Sequence, residues 1–307
     1  MTRVEAERYD RVGAQRLRAR IASGPSIVQG PMGSLLMSEV GAVGIPPAYW
    51  NVAEPAAVAR MHALYAAAGA DILITNTFCA SAPALERDGI VRAMDSVCRS
   101  AVDAARRAGG LPVLGSIGPV GIDWTREKDP EWRRAREAYQ DMALSLLVSG
   151  ASGLLLETFG SMRELELALD SVNMVRDGMP AIVSFAVDGA GDLVGDGTNV
   201  EGALLALRSS EIDAVGVNCC ELGVSQDMVG RMARASDLPL MIRPSAGLPE
   251  TLDGELVWHE DPRAFAAALP GWIDAGATMV GSCCGTSPRT TSALACALGD
   301  LLGDSNA

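Results

Sequence analysis

Four of the seven cysteines in this 307-residue chain stand in two adjacent pairs, Cys219-Cys220 in "VGVNCC" and Cys283-Cys284 in "VGSCCGT". Adjacent cysteines close only a strained disulfide. The N-terminal "MTRVEAERYDRVGAQRLRAR" has neither a signal peptide's apolar stretch nor the acid-poor character of a transit peptide, and no apolar run approaches the ~18 residues of a membrane span. A cytoplasmic protein with reduced thiols is therefore expected, and there clustered cysteines read as metal ligands or catalytic groups. Three or four thiolates suit zinc, a borderline-soft ion that takes them tetrahedrally at about 2.3 Å. Four would close the coordination sphere and make the ion structural; three leave a position for substrate. A large domain needs no metal staple, which favours the open site over the closed one. Buried cysteines acting as small apolar residues are the remaining alternative, and that is the reading for Cys79, Cys98 and Cys296. An alkyl thiol entering the open position has its pKa lowered from about 8.5 and is held in its nucleophilic form. The chemistry suggested is alkylation of sulfur.

Two scarcities narrow the alternatives. Histidines number two, His62 and His259, and Lys128 is the single lysine, so histidine-rich metal hydrolases and Schiff-base aldolases lose support. A net charge of −13 with no basic cluster argues against nucleic acid, because nothing supplies a counterion-releasing patch. No membrane partner is expected either.

The elements that must position these thiols form a repeating pattern. Eight short apolar or β-branched runs recur: "SIVQG", "DILITNTF", "PVLGSIGP", "GLLLETFG", "AIVSFAVD", "AVGVNCC", "PLMIRPSAG" and "TMVGSCCG". Between them lie helix-length segments with apolar residues at three- and four-residue spacing, such as "PAAVARMHALYAAAG" and "DPRAFAAALPGWIDAGA", several closed by glycine. Continuous apolar strands alternating with helices predict a parallel sheet buried on both faces. Eight βα units match an α/β (β/α)8 TIM barrel, which typically takes about 250 residues. Residues 25–307 are assigned to this single domain, with 1–24 as an N-terminal extension expected to be helical. A doubly wound open sheet is the runner-up, weakened because no strand is followed by a G-x-G-x-x-G turn. In a barrel the strand ends gather on one rim. That rim would hold Gln29 and Met32 after the first strand, Asn76 in the second, Ser116 in the third and Glu157 in the fourth. Asp188 follows the fifth, Asn218, Cys219 and Cys220 lie in the sixth, Ser245 follows the seventh, and Cys283 and Cys284 lie in the eighth.

The segments "GPMGSLL", "HALYAAAGADILITNTF", "GSIGP", "LLLETF", "GVNC", "PSAGLP" and "WIDAGATMVGSCCGTSP" are specific. By them the chain resembles the homocysteine S-methyltransferase family, which includes betaine-homocysteine methyltransferase and the homocysteine domain of cobalamin-dependent methionine synthase. The resemblance implies zinc on Cys219, Cys283 and Cys284, with Cys220 left out. It gives the substrate ammonium to Glu157 and the substrate carboxylate to backbone N–H groups of the loop from Gln29 to Ser34, with Gly30 and Met32 in it. Asn218 would shape the same pocket, with Asn76 as a further candidate. The implied activity is a direct in-line methyl transfer to the thiol of homocysteine or a related thiol, giving methionine or a thioether. Rival readings are a non-catalytic zinc- or thiol-binding subunit and a thioether lyase. The chain departs from the family at Gln29-Gly30-Pro31, where relatives read Asp-Gly-Ala or Asp-Gly-Gly, so one carboxylate expected near the ammonium is missing. The methyl donor stays open between a corrinoid or methyl-carrier protein and a small sulfonium or quaternary ammonium compound. The latter would be held over loop aromatics, with Tyr49, Trp50, Trp124 and Trp258 as candidates.

Overall fold

The computed structural model describes residues 8–39, 45–121, 130–252 and 255–304; Trp124 and Lys128 lie outside them. Each of the eight expected runs forms a strand: β1 (Ser26–Ile27), β2 (Leu73–Ile74), β3 (Val113–Ile117), β4 (Gly153–Phe159), β5 (Ala181–Ala186), β6 (Ala214–Glu221), β7 (Leu240–Ser245) and β8 (Ala277–Val280). All pairings among them are parallel, in the order β1-β8-β7-β6-β5-β4-β3-β2. The sheet closes on itself through a parallel bridge between Val28 and Ile72, where the Gln29 N–H donates to the Ile72 carbonyl at 2.9 Å. The fold is the (β/α)8 barrel.

Helices return the chain between strands and bury their apolar stripes against the sheet. The helix Pro262–Asp274 shows how its ends are fixed. Asp261 caps it by accepting from the N–H groups of Arg263 and Ala264, Pro262 occupies the first turn, and Gly276 beyond its end takes φ +111°. Ahead of β1, the helix Arg11–Ala22 lays Leu17 and Ile21 onto the inner cluster of Val28, Ile74, Leu114, Leu155, Ile182, Met241 and Met279. Leu17 approaches Gly153, the first residue of β4, so this helix plugs the end of the barrel at which the strands begin.

Inward-facing positions recur every second residue along a strand, and one step beyond the apolar cluster the lining changes character. Leu114 gives way to Ser116, Leu155 to Glu157, Ile182 to Ser184 and Met241 to Arg243, all of them buried. The apolar layer supplies the core, and the polar layer above it forms the floor of the C-terminal rim.

Two details differ from the sequence expectation. Asn76, expected in the second strand, lies beyond its end at Ile74; Cys283 and Cys284, expected in the eighth, lie in the turn after Val280. The second break comes where a Cβ on Gly281 would stand 2.6 Å from the carbonyl oxygen of Val28, so β1 and the end of β8 pass too closely for a side chain. In addition, an antiparallel hairpin of Glu250–Leu252 and Glu255–Val257 follows β7 and delivers Trp258 to the rim.

Candidate active site

The sixth strand brings Cys219 to the rim through an irregular backbone. Its register with β7 shifts between Asn218 and Glu221, and Cys219 takes φ +56°. The fourth strand does the same: register with β5 shifts between Leu156 and Phe159, and Thr158 takes φ +64°. Left-handed non-glycine residues cost about 1–3 kcal/mol each and persist only where their surroundings impose them. Asn218 provides that constraint. Its Oδ1 accepts from the Thr158 N–H at 3.0 Å and the Ser184 hydroxyl at 2.6 Å, while its Nδ2 donates to Thr158 Oγ1 at 2.7 Å. The turn after β8 is tied to the end of β7, the Cys283 N–H donating to the Pro244 carbonyl at 2.8 Å and the Ala246 N–H to the Cys284 carbonyl at 3.0 Å.

These constraints bring three thiols together. Cys219 Sγ stands 2.9 Å from Cys283 Sγ and 4.0 Å from Cys284 Sγ, and all three sulfurs lie within 4.8 Å of one another. None forms a disulfide. Around a tetrahedral ion with bonds of about 2.3 Å, ligand sulfurs stand about 3.8 Å apart, so the trio suits a thiophilic ion once the closest pair opens by about 1 Å. Charge is unevenly shared among the free thiols. The hydrogen bond from Cys219, with that from Cys284 and the Arg243 guanidinium nearby, holds Cys283 well below the usual thiol range, while donation to Cys283 pushes Cys219 up. Cys220 points the other way, 2% exposed within the main hydrophobic core. Cys98 is likewise buried, as expected of an apolar residue, whereas Cys79 and Cys296 are exposed, and Cys79 lines the cavity described next.

The trio faces a cavity of about 340 Å3 whose wall includes Gln29, Gly30, Met32, Asn76, Glu157, Cys219, Cys283 and Cys284. Asn218 is fully buried and holds the wall rather than lining it; Asp188 and Ser245 are not part of it. Met37, Ile74, Phe78 and Trp258 make the wall largely apolar. Of the aromatics proposed from sequence, Trp258 lines the cavity, whereas Trp50 is buried in a core cluster and Tyr49 packs against the core.

Two side chains are engaged differently from the sequence expectation. Gln29 lies in a buried network: its Oε1 accepts from the Ile74 N–H at 3.2 Å and stands 2.9 Å from His62 Nδ1, and its Nε2 donates to the Ile74 carbonyl at 3.1 Å. Glu157 is held on both oxygens, accepting from the Ser116 hydroxyl at 2.5 Å and from Arg243 Nη1 at 2.6 Å. Arg243 was not singled out in the sequence. Burial works against its charge, but the carboxylate of Glu157 and the charge on Cys283 more than offset this and keep the guanidinium protonated. The alternation from Met241 to Arg243 in "PLMIRPSAG" is the signal that marks it, since it places an arginine inside the barrel.

A family model described as homocysteine S-methyltransferase matches residues 26–298. Methionine synthase of Mycobacterium leprae is 30% identical over 252 residues, covering 78% of this chain and 21% of that protein. Homocysteine S-methyltransferase of Escherichia coli is 29% identical over 266 residues, covering 79% of this chain and 84% of that protein. The chain thus spans only 21% and 22% of the length of the two mycobacterial methionine synthases it matches. Among solved structures, the metallated form of the homocysteine methyltransferase MmuM from Escherichia coli shares the fold at a TM-score of 0.74, with 24% identity over 92% of this chain and 99% of that one.

Proposed function

Because the chain belongs to the homocysteine S-methyltransferase family, we propose that it is a zinc-dependent S-methyltransferase acting on the thiol of homocysteine or a related thiol, giving methionine or a thioether. The observation that carries this reading is the convergence of Cys219, Cys283 and Cys284 on the wall of an otherwise largely apolar cavity. Three thiolates are the donor set for zinc with one position left open. When bound there, zinc supplies a lowered pKa for the incoming thiol, so that the nucleophilic form is present at neutral pH.

The rest is done by the chain's own residues. Asn218 fixes the two strained strand ends that aim Cys219 and carry Glu157. Met32, Met37, Phe78 and Trp258 give a largely apolar wall to the cavity in which the acceptor sulfur would displace the donor's leaving group. Gly30, Asn76, Glu157 and Arg243 border the space for the acceptor's polar end. In this transfer the sulfur's electron pair forms the new bond to the methyl carbon and the old methyl bond leaves with its pair on the donor. No covalent enzyme intermediate is needed. For the donor, the Trp258 face favours a small sulfonium or quaternary ammonium compound; a methyl-corrinoid protein is the alternative. A thiolate site of this kind works in a reducing compartment, the cytoplasm, and no helix among the described residues is long and apolar enough to cross a membrane.

The test is to incubate zinc-loaded protein with homocysteine and, in turn, a sulfonium donor, a quaternary ammonium donor and a methyl-corrinoid. The expected result is a thioether, the thiol with its S–H hydrogen replaced by methyl, with at least one donor. No methylated thiol from any of the three, or a carbon–sulfur cleavage product instead, contradicts the reading.

A further inference from the structure

Arg243 places a positive charge at the acceptor's end of the cavity, a position for which the family resemblance gives no role. The residue is 2% exposed, it lines the cavity, and its guanidinium hydrogen bond among the described residues is the one from Nη1 to Glu157. Its Nε is sealed inside the wall without a partner, whereas Nη2, which makes no hydrogen bond among the described residues, is not sealed in this way. A guanidinium that lines a cavity with one uncommitted NH2 group is placed to donate to an acceptor group there, and a carboxylate suits it.

The same wall offers an ammonium little. Glu157 is the one carboxylate in the described lining, each of its oxygens already takes a hydrogen bond, and its charge is matched by Arg243. Gln29 brings no charge to the wall, and its Oε1 is committed to Ile74 and His62. Asn76 is neutral, and apart from Glu157, Arg243 and the three thiols of the metal site the wall carries no charged side chain. An α-ammonium brought beside Arg243 meets a like charge there, and no uncommitted carboxylate compensates.

We infer that Arg243 determines specificity by binding the carboxylate of the acceptor, that the acceptor class is thiol carboxylates, and that an amino group adds nothing to recognition. This rests on the methyltransferase reading and names the acceptor for that same site.

The test is calorimetric titration of zinc-loaded protein with three thiols: homocysteine, 4-mercaptobutanoate, which is homocysteine without its amino group, and 3-aminopropane-1-thiol, which lacks the carboxylate. Wild type is expected to bind 4-mercaptobutanoate at least as tightly as homocysteine and 3-aminopropane-1-thiol about tenfold more weakly or worse. Arg243→Met should abolish the preference or reverse it toward the amino analogue, since Glu157 is then left without its counter-charge, whereas Arg243→Lys, which keeps the charge, should retain part of the preference. A residue that only supports the fold would weaken both analogues alike. Should the arginine variants fail to fold, the wild-type ranking decides alone. Homocysteine binding about tenfold more tightly than 4-mercaptobutanoate, or equal binding of the two analogues by wild type, overturns the inference and leaves the methyltransferase reading intact. If none of the three thiols binds, both fall.

Discussion

At Glu157 and Arg243 two opposite charges are buried together, their side chains 9% and 3% exposed, so each depends on the other for its counter-charge. Removing one partner of such a pair costs about 3–5 kcal/mol, because the remaining charge is stranded out of water. Glu157→Gln preserves shape and removes the charge, and it should lower stability in urea by about 3 kcal/mol. Adding Arg243→Met should recover part of that loss, since the double variant strands nothing. Equal midpoints for wild type and Glu157→Gln contradict this account of the pair. In the sequence only half of it was legible. Glu157 is readable as an acid closing an apolar strand, whereas in "PLMIRPSAG" the strand-end pattern points to Ser245, which is absent from the cavity wall. The same strand-end reading found Cys219 but could not show that Gln29 is engaged by His62, 33 residues away.

The strands and helices set the angles at which these residues meet, and Asn218 is where that can be measured. Without its carboxamide the Thr158 N–H loses its partner and Cys219 Sγ loses the Asn218 Nδ2 donor 3.4 Å away. Asn218→Ala should weaken zinc affinity about 10–100-fold while full loading is still reached at high zinc, the usual effect of removing a group that orients a ligand. Unchanged affinity in a chelator competition contradicts that role. A second coupling joins the helix Pro55–Ala67 to β1 and β2, where His62 is fully buried and its Nδ1 faces the Gln29 carbonyl oxygen. Because Gln29 Oε1 can only accept, that nitrogen carries the proton. Burial lowers the pKa of His62 from 6.5 to about 3. The unfolded chain therefore takes up the proton first as pH falls: the stability tied to neutral His62 is complete above about pH 6.5 and is lost progressively toward pH 3. Between pH 7.5 and pH 5 metal-free wild type should lose about 2 kcal/mol more than His62→Asn. Parallel pH profiles contradict the assignment. All eight strands were legible because a strand buried on both faces is apolar without interruption. The turn carrying Cys283 and Cys284 was not, since its cause is the approach of β1 to Gly281, a contact between distant parts of the chain.

Taken whole, the barrel divides its interior between an apolar layer plugged by Leu17 and Ile21 and a polar layer that opens into the cavity. Alternation along single strands contains this division, but which inward residues face one another depends on barrel closure, and one sequence does not give that stagger. Closure is also what brings Cys219 from β6 beside the turn after β8, so the central claim concerns the assembled rim: three sulfurs from two segments make one metal site, and the fourth of the paired cysteines takes no part. The most direct measurement is the metal content of protein purified under reducing conditions, for wild type and for four single cysteine-to-serine variants. The account predicts about one zinc per chain in wild type and in Cys220→Ser, and severe loss in Cys219→Ser, Cys283→Ser and Cys284→Ser, because a serine hydroxyl is a far poorer zinc ligand than a thiolate. Full zinc in those three variants, or loss in Cys220→Ser equal to theirs, would contradict it.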